Sequence, residues 1–175
     1  MLTFIGTLIE KIIKDLFQSL DSPYQPQYPI DQYKSQFLPQ LKPESPVILN
    51  GNPIGGKLAF QEHWVKFPLS QHSVTSIDFQ PIPGTGTLVL NISGRVRFDE
   101  AGRTKLGESA EVQVVGQPPS QPSALKNRNL WGSWMGFNSN LVVDESILTN
   151  NGNAECINSL NWKVVYYPDD SLITL

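Results

Sequence analysis

Residues 72–98 read HSVTSIDFQPIPGTGTLVLNISGRVRF, and this stretch decides the fold. From residue 72 the sequence follows a period of two, which is typical of half-buried β-strands. The proline and glycine residues at 81–86 favour a turn, because they suit backbone conformations that regular strands do not use. We therefore predict a strand at 72–79, a turn, and a second antiparallel strand at 87–98.

Alternation divides the second of these strands into two faces of different character. One face is apolar and contains Leu88, Leu90, Ile92, Val96 and Phe98. The opposite face is mixed and contains Val89, Asn91, Ser93, Arg95 and Arg97. Because apolar side chains gain stability from burial, we expect the first set in the core and the second on the outer surface.

Three later stretches, 108–115, 133–143 and 157–167, also predict strands. The apolar face of 133–143 contains Met135, Phe137, Leu141 and Val143, opposite Trp134, Asn138, Asn140 and Val142. In 157–167 one face contains Leu160, Trp162, Val164 and Tyr166, and the other contains Lys163, Val165 and Tyr167. Both faces of this last strand carry aromatic side chains.

The sequence before residue 72 predicts helices and one short hairpin. Residues 3–20 form an apolar stripe at helical spacing, made by Ile5, Leu8, Ile9, Ile12, Leu16 and Leu20. Residues 31–41 predict one or two helical turns, with Tyr33, Phe37, Leu38 and Leu41 pointing inward. A strand at 47–49 precedes the Asn50-Gly51 turn, and a helix follows at 57–67. Helices followed by an antiparallel meander predict an α+β domain.

Length and composition predict a single domain that spans residues 1–175 and does not bind nucleic acid tightly by itself. The chain has 175 residues, 39% of them apolar, and a net charge of −3. Proteins that hold phosphates tightly carry a basic stripe, so any contact with RNA is expected to be local or made through a partner. The single cysteine, Cys156, fits a reducing compartment and predicts a small apolar filler.

No motif for a cofactor or a metal is present in the sequence. Gly55-Gly56-Lys57 lacks the full spacing of a phosphate loop and the Ser or Thr after its lysine. No Cys pair, His-x-x-x-His or carboxylate cluster suggests zinc. We therefore predict no cofactor and no metal site.

Residues 116–129, GQPPSQPSALKNRN, predict an exposed proline-rich loop. Lys126 and Arg128 make this loop locally basic, and it contains no acidic residue. These two side chains are our candidates for a contact with cargo or RNA.

The sequence resembles the nuclear transport factor 2-like family, most clearly in the residues of that family's central hairpin. That resemblance is carried by His72-Ser73-Val74-Thr75, Asp78 and Gln80-Pro81-Ile82-Pro83-Gly84, and by the strand–turn–strand–helix order at 47–67. Within that family the chain is similar to the fungal mRNA transport regulators, in Gly84-Thr85-Gly86-Thr87-Leu88, Val96-Arg97-Phe98-Asp99-Glu100, Leu130-Trp131-Gly132 and Pro168-Asp169-Asp170-Ser171-Leu172. The resemblance covers roughly residues 45–175.

This resemblance implies a fold and a non-enzymatic function. The implied fold packs N-terminal helices on a strongly curved antiparallel β-sheet that forms a cone. The implied function is that of the small subunit of the mRNA export receptor, which forms a heterodimer with the matching domain of a larger subunit. The heterodimer is expected to bind phenylalanine-glycine repeats of nucleoporins and to move between nucleus, pore and cytoplasm. Export of the large ribosomal subunit is implied as well, with the loop at 116–129 in the position of the cargo contact.

Residue types on the outer sheet face predict the surface that binds the larger subunit. Aromatic residues and arginine, with few acids, are what protein interfaces select. Arginine also suits this use because its planar fork pairs a carboxylate through two hydrogen bonds. Our candidate interface residues are Val89, Arg95, Arg97, Trp134, Asn138, Val142 and Tyr167.

Two alternative functions share the same fold. A small-molecule enzyme would place a carboxylate or histidine in the concave pocket, where burial tunes its pKa. His63 and His72 are expected at surface or capping positions, and Asp78, on the face of His72, is the carboxylate to watch. A homodimeric import carrier would bring Arg95 and Arg97 close to their own copies across a two-fold axis, with few acids to neutralise them.

The basic loop generates a prediction that separates cargo contact from heterodimer formation. Replacing Lys126 and Arg128 together by alanine should leave heterodimerisation intact and weaken association with RNA or preribosomes, because only loop charge is lost. Binding to RNA should be measured at two or more salt concentrations, since phosphate contacts weaken as salt rises. Unchanged RNA association at every salt concentration would remove the loop from the functional account.

Overall fold

The computed structural model describes residues 2–101, 105, 131–171 and 175. In this part of the chain the helices are α1 (Leu2–Leu20), α2 (Ile30–Lys34), α3 (Lys57–Trp64) and the short 3-10 helix η1 (Glu145–Leu148). The strands are β1 (Val47–Leu49), β2 (Asn52–Gly55), β3 (Ser70–Ile82), β4 (Thr87–Phe98), β5 (Met135–Asp144) and β6 (Ile157–Tyr166). The strand expected at 108–115 and the loop expected at 116–129, with Lys126 and Arg128, lie outside the described residues.

The six strands form one sheet in the order β2-β1-β6-β5-β4-β3. The central hairpin is confirmed, since β3 and β4 pair antiparallel from Ser70 opposite Phe98 to Ile82 opposite Thr87. The α+β class is also confirmed, and β3 to β6 pair antiparallel as predicted. Strand β1 pairs parallel with β6, so the whole sheet is mixed, which the sequence did not indicate.

One face of the sheet, which we call the inner face, packs against the helices. Helix α1 contributes its apolar stripe, with Ile9, Leu16 and Leu20 no more than 3% exposed. From β4, Leu90 and Ile92 are completely buried, as the alternation predicts. Burial of each such side chain stabilises a fold by roughly 1.5–3 kcal/mol, so this layer supplies much of the stability.

Helix α2 supplies the one or two helical turns that the sequence predicts, at the start of the predicted range. It covers Ile30–Lys34, and turns rather than a helix carry the chain from residue 35 to 41. Leu38 has φ +48°, a left-handed conformation that ends helical geometry. The side chains expected to point inward do so, since Tyr33, Phe37, Leu38 and Leu41 are all buried.

A β-bulge in β3 reverses the face assignment of Asp78. The register skips one residue between Val74 and Ser76, so no residue of β4 is paired opposite Thr75 in the ladder. His72 lies opposite the buried Val96, whereas Asp78 lies opposite Asn91 on the other face. The prediction that Asp78 shares the face of His72 is therefore wrong, because one extra residue in a strand reverses the alternation that follows it.

A second irregularity does the same to Tyr166 at the end of β6. Phe137 pairs with Val164 but Gly136 pairs with Tyr166, which leaves Val165 as the extra residue. Tyr166, predicted to share the face of Trp162 and Val164, is instead 62% exposed on the opposite face. Among the described residues no helix is both long and apolar enough to cross a membrane.

Candidate protein-interaction surface

The outer face of the sheet is the side opposite the helices, and it carries few charged side chains for a surface. Pairing registers place the following residues of β3 to β6 on it: Gln71, Ser73, Ser76, Asp78, Gln80, Val89, Asn91, Ser93, Arg95, Arg97, Gly136, Asn138, Asn140, Val142, Asp144, Ser159, Asn161, Lys163 and Tyr166. Two of its charges are arginines, and one of its carboxylates, Asp144, is already bonded to Lys42 at 2.7 Å. A purely solvated face would be richer in lysine and glutamate.

At one end of this face two arginines and two tryptophans form a cluster, which we call the Arg–Trp cluster. The guanidinium carbon of Arg95 lies 4.8 Å from the ring centre of Trp134. That of Arg97 lies 4.6 Å from Trp134 and 5.1 Å from Trp131. Arg97 Nε also donates a hydrogen bond to Gln71 Oε1 at 2.8 Å. Cation–π contacts of this kind hold each guanidinium in place, so that its remaining N–H groups are presented in a fixed arrangement.

Trp131 belongs to this cluster although sequence alternation did not identify it. It precedes β5 and is held by a bridge to Asp99, next to the hydrogen bond from the Gly132 N–H to the Phe98 carbonyl at 2.9 Å. A side chain at Gly132 would collide with Glu100, because an added Cβ would lie 2.3 Å from Glu100 Oε1. This close approach is a tertiary contact, which strand periodicity cannot reveal.

Three asparagines joined by hydrogen bonds lie in the middle of the outer face, beside a fourth, Asn161. Asn138 Nδ2 donates to Asn91 Oδ1 at 3.0 Å and to Ser93 Oγ at 3.2 Å. Asn140 Nδ2 donates to the same Asn91 oxygen at 2.8 Å. We call Asn91, Asn138 and Asn140 the amide cluster. Each of the three is half-buried on the chain's own surface.

Apolar side chains lie beyond both ends of the amide cluster. Val89 and Val142 are directly paired on neighbouring strands, and Val89 is 36% exposed. At the other end Val165 and Tyr166 are exposed beside Gly136. Tyr167, a predicted interface residue, lies one position past the end of β6 and is 39% exposed. The structure thus brings Val89 next to Val142, and Arg95 and Arg97 next to Trp134, on one face.

Comparison with known proteins assigns the family. A model of the family described as "Nuclear pore RNA shuttling protein Mtr2" matches residues 5–175. The chain belongs to this family. The mRNA transport regulator MTR2 of Candida albicans is 41% identical over 176 residues, which is 94% of each chain.

Solved structures agree with this assignment and with the expected fold. The Candida albicans Mtr2 in a complex with the Mex67 M domain superimposes with a TM-score of 0.75 at 40% identity, covering 93% of this chain and 97% of that one. An NTF2-like protein from Cytophaga hutchinsonii superimposes with a TM-score of 0.52 at 8% identity, over 91% and 98% of the two chains. The second likeness shows the fold alone, and it confirms the nuclear transport factor 2-like architecture.

Behind the sheet this Mtr2-family chain contains a buried polar cluster that the sequence did not indicate. His72 was expected at the surface or at a cap, but its side chain is fully buried and Nδ1 lies 2.6 Å from Asp21 Oδ1. Ser70 Oγ donates to the same oxygen at 2.8 Å, and Lys105 Nζ donates to Ser70 Oγ at 2.8 Å. The prediction failed because the partner of His72 comes from the end of α1, 51 residues earlier.

Aromatic rings pack around the His72 side chain of this cluster, and an open groove of about 550 Å³, lined by Lys14, Gln18 and Asp21 among others, lies beside it. The rings of Phe17, Trp64, Phe137 and Trp162 all lie within 6.1 Å of the His72 ring, centre to centre. The cavity at the heart of the inner face, lined by Leu16, Phe17, Trp64, Trp162 and neighbouring apolar side chains, has a volume of about 10 Å³. Ligand pockets are typically about 300–1,000 Å³, so the interior of the described part of the domain is a packed core.

Other groups considered for catalysis or metal binding do not converge. His63 lies on α3 and packs against Phe67, and Asp78 is exposed on the outer face. Burial raises the pKa of the Cys156 thiol to about 11, which suits the apolar filler that the sequence predicts. Within the described ranges no three His, Cys, Asp or Glu side chains are grouped to hold a metal ion.

Lys105 connects three parts of the chain and generates a pH prediction. Its backbone N–H bonds the Phe67 carbonyl and its carbonyl accepts from the Tyr24 N–H, while its ammonium is buried beside Trp64. Burial lowers the pKa of Lys105 to about 7, against an opposing attraction to Asp21. The unfolded chain therefore binds more protons at this residue from about pH 7 to pH 10, so the free energy of unfolding should rise with pH in that range.

Urea unfolding of the wild type and of Lys105→Met at several values from pH 7 to pH 9 measures this effect. As the pH rises, the free energy of unfolding of the wild type should increase relative to that of the variant by up to about 1.4 kcal/mol per pH unit. Lys11→Met, which changes an exposed lysine of α1, should run parallel to the wild type. If the Lys105→Met curve is parallel as well, the ammonium is hydrated and the buried placement of Lys105 is wrong.

Proposed function

We propose that this protein is the small, non-enzymatic subunit of a nuclear mRNA export receptor, and that its outer sheet face binds the matching domain of the larger subunit. The observation that carries the proposal is the Arg–Trp cluster on an outer face that no described helix covers. Its support is the Candida albicans relative, 40% identical, whose structure was solved in a complex with the Mex67 M domain.

The charge pattern of the face favours a heterodimer. In a symmetric homodimer the Arg–Trp cluster would face arginines of its own kind or the amide cluster, next to which Asp78 is the exposed carboxylate. The carboxylates on the face are few, and Asp144 is engaged by Lys42, which together with Asn158 lowers the pKa of Asp144. A partner that supplies carboxylates opposite Arg95 and Arg97 meets two ordered guanidinium groups without this repulsion.

The proposed receptor acts by carrying cargo through the pore. In this account the heterodimer binds phenylalanine-glycine repeats of nucleoporins and moves between nucleus, pore and cytoplasm. Contact with mRNA is made mainly through the larger subunit, in keeping with the net charge of −3. Lys126 and Arg128 of the basic loop are proposed to contact RNA or the large ribosomal subunit. The filled interior supports a binding function rather than catalysis.

Charge reversal at Arg97 tests the proposed surface. The variant Arg97→Glu replaces a guanidinium held between two tryptophans by a carboxylate, and should weaken binding to the M domain of the Mex67-type partner by roughly 30-fold or more, as for an interface hot spot. Titration calorimetry measures the dissociation constant. The chain should stay folded, because Arg97 lies on the surface and not in the core.

The control makes the same change of charge elsewhere. Lys11 is exposed on α1, on the opposite side of the sheet from the outer face, so Lys11→Glu should bind the M domain like the wild type. If folded Arg97→Glu also binds like the wild type, the outer face is not the interface.

A further inference from the structure

The amide cluster leaves a defined set of hydrogen-bonding groups open on the outer face. Asn138 donates one N–H to Asn91 and the other to Ser93, and Asn140 donates one of its two N–H groups to Asn91. Asn91 accepts through its oxygen and keeps both of its own N–H groups. No described residue bonds the remaining N–H groups of Asn91 and Asn140, or the side-chain oxygens of Asn138 and Asn140. Donors and acceptors thus stand side by side at the centre of the face.

This mixture of donors and acceptors selects the chemistry of a ligand. A carboxylate only accepts, so it would satisfy the N–H groups but face the oxygens of Asn138 and Asn140. An ammonium only donates, and would leave the N–H groups of Asn91 unpaired. A carboxamide carries an acceptor and two donors on one planar group, and can pair both kinds at once. A hydroxyl both donates and accepts but has one O–H, whereas the two N–H groups of an asparagine or glutamine side chain can serve the oxygens of both Asn138 and Asn140, so a carboxamide fits best.

We propose that Asn91, Asn138 and Asn140 determine the partner specificity of this face by binding a carboxamide side chain, Asn or Gln, from the larger subunit. This inference rests on the proposed use of the outer face for heterodimerisation. The partner argued here is one with a carboxamide at the centre of its own facing surface, flanked by carboxylates that meet the Arg–Trp cluster. Bonds inside the amide cluster fix the three side chains before the partner arrives, so little conformational entropy is lost on binding.

The specificity rests on the free-energy cost of an amide that loses its bound water in the interface and gains no hydrogen-bonding partner there. The three asparagines are half-buried already, and a second sheet over them would remove the rest of their water. Each polar group left unpaired in such an interface lowers affinity by roughly tenfold or more. An apolar partner surface is therefore rejected, and a surface with a matching carboxamide is accepted.

Replacement of Asn138 by leucine separates this proposal from a simple hydrophobic account. The variant adds apolar area between Gly136 and Asn140, and it also removes one of the two donors that fix Asn91. If apolar area alone governed affinity, Asn138→Leu would bind the M domain more tightly. We instead expect the dissociation constant to be at least about tenfold larger, because the partner carboxamide and Asn91 each lose a hydrogen-bonding partner.

A second variant tests the same prediction in case Asn138→Leu does not fold, and a control variant measures the effect of an added negative charge alone. Asn91→Asp keeps the shape of the side chain but turns its free donors into acceptors, and should also bind at least about tenfold more weakly. Asn153→Asp adds the same charge in an exposed turn away from the sheet and should bind like the wild type. Thermal unfolding of each purified variant shows whether the fold is retained.

The outcomes distinguish this proposal from the one on which it rests. If the wild type fails to bind the M domain, the proposed function itself is wrong. If the wild type binds, Arg97→Glu does not, and both Asn138→Leu and Asn91→Asp bind like the wild type or better, the face is the interface but the amide cluster does not select the partner. Weaker binding by both asparagine variants, with wild-type binding by Asn153→Asp, supports the carboxamide.

Discussion

Burial of the inner face of β4 and β5 in the core that they share with α1 is the interaction on which the rest of the structure depends. Leu90, Ile92 and Phe137 are at most 1% exposed and belong to the same buried cluster as the apolar stripe of α1, whose Phe17 ring lies 5.3 Å from that of Phe137. Because side chains alternate along a strand, fixing these residues inward also fixes Asn91, Arg95 and Asn138 outward. The recognition surface is thus a geometric consequence of the core, and it is held as rigidly as the core is packed.

In the proposed function the outer face combines two kinds of recognition on a single rigid support. The Arg–Trp cluster at one end presents ordered cations, whereas the amide cluster at the centre presents uncharged donors and acceptors. Charged groups of this type steer a partner and set register, while half-buried amides penalise a mismatched one. A sheet suits this use better than a loop, since each side chain is fixed by neighbours on both adjacent strands.

Sequence patterns predicted the parts that depend on local periodicity. The faces of β4 and β5 follow strict alternation, so Val89, Arg95, Arg97, Trp134, Asn138 and Val142 were placed on the outer face correctly. The errors arise where one residue is inserted into a strand. The bulges at Thr75 and Val165 reverse the faces of Asp78 and Tyr166, and no local signal marks either bulge. The partners of His72 and Trp131 come from distant segments, and only the folded chain reveals them.

The proposed function requires a heterodimer of this chain with the matching domain of a larger receptor subunit, and the molar mass in solution shows whether that heterodimer forms. Light scattering after size-exclusion chromatography should be recorded for the chain alone and for the chain co-expressed with the M domain of its Mex67-type partner. We expect a tight one-to-one complex with the M domain, and no stable dimer of the chain by itself. A stable homodimer that does not combine with the M domain would contradict it.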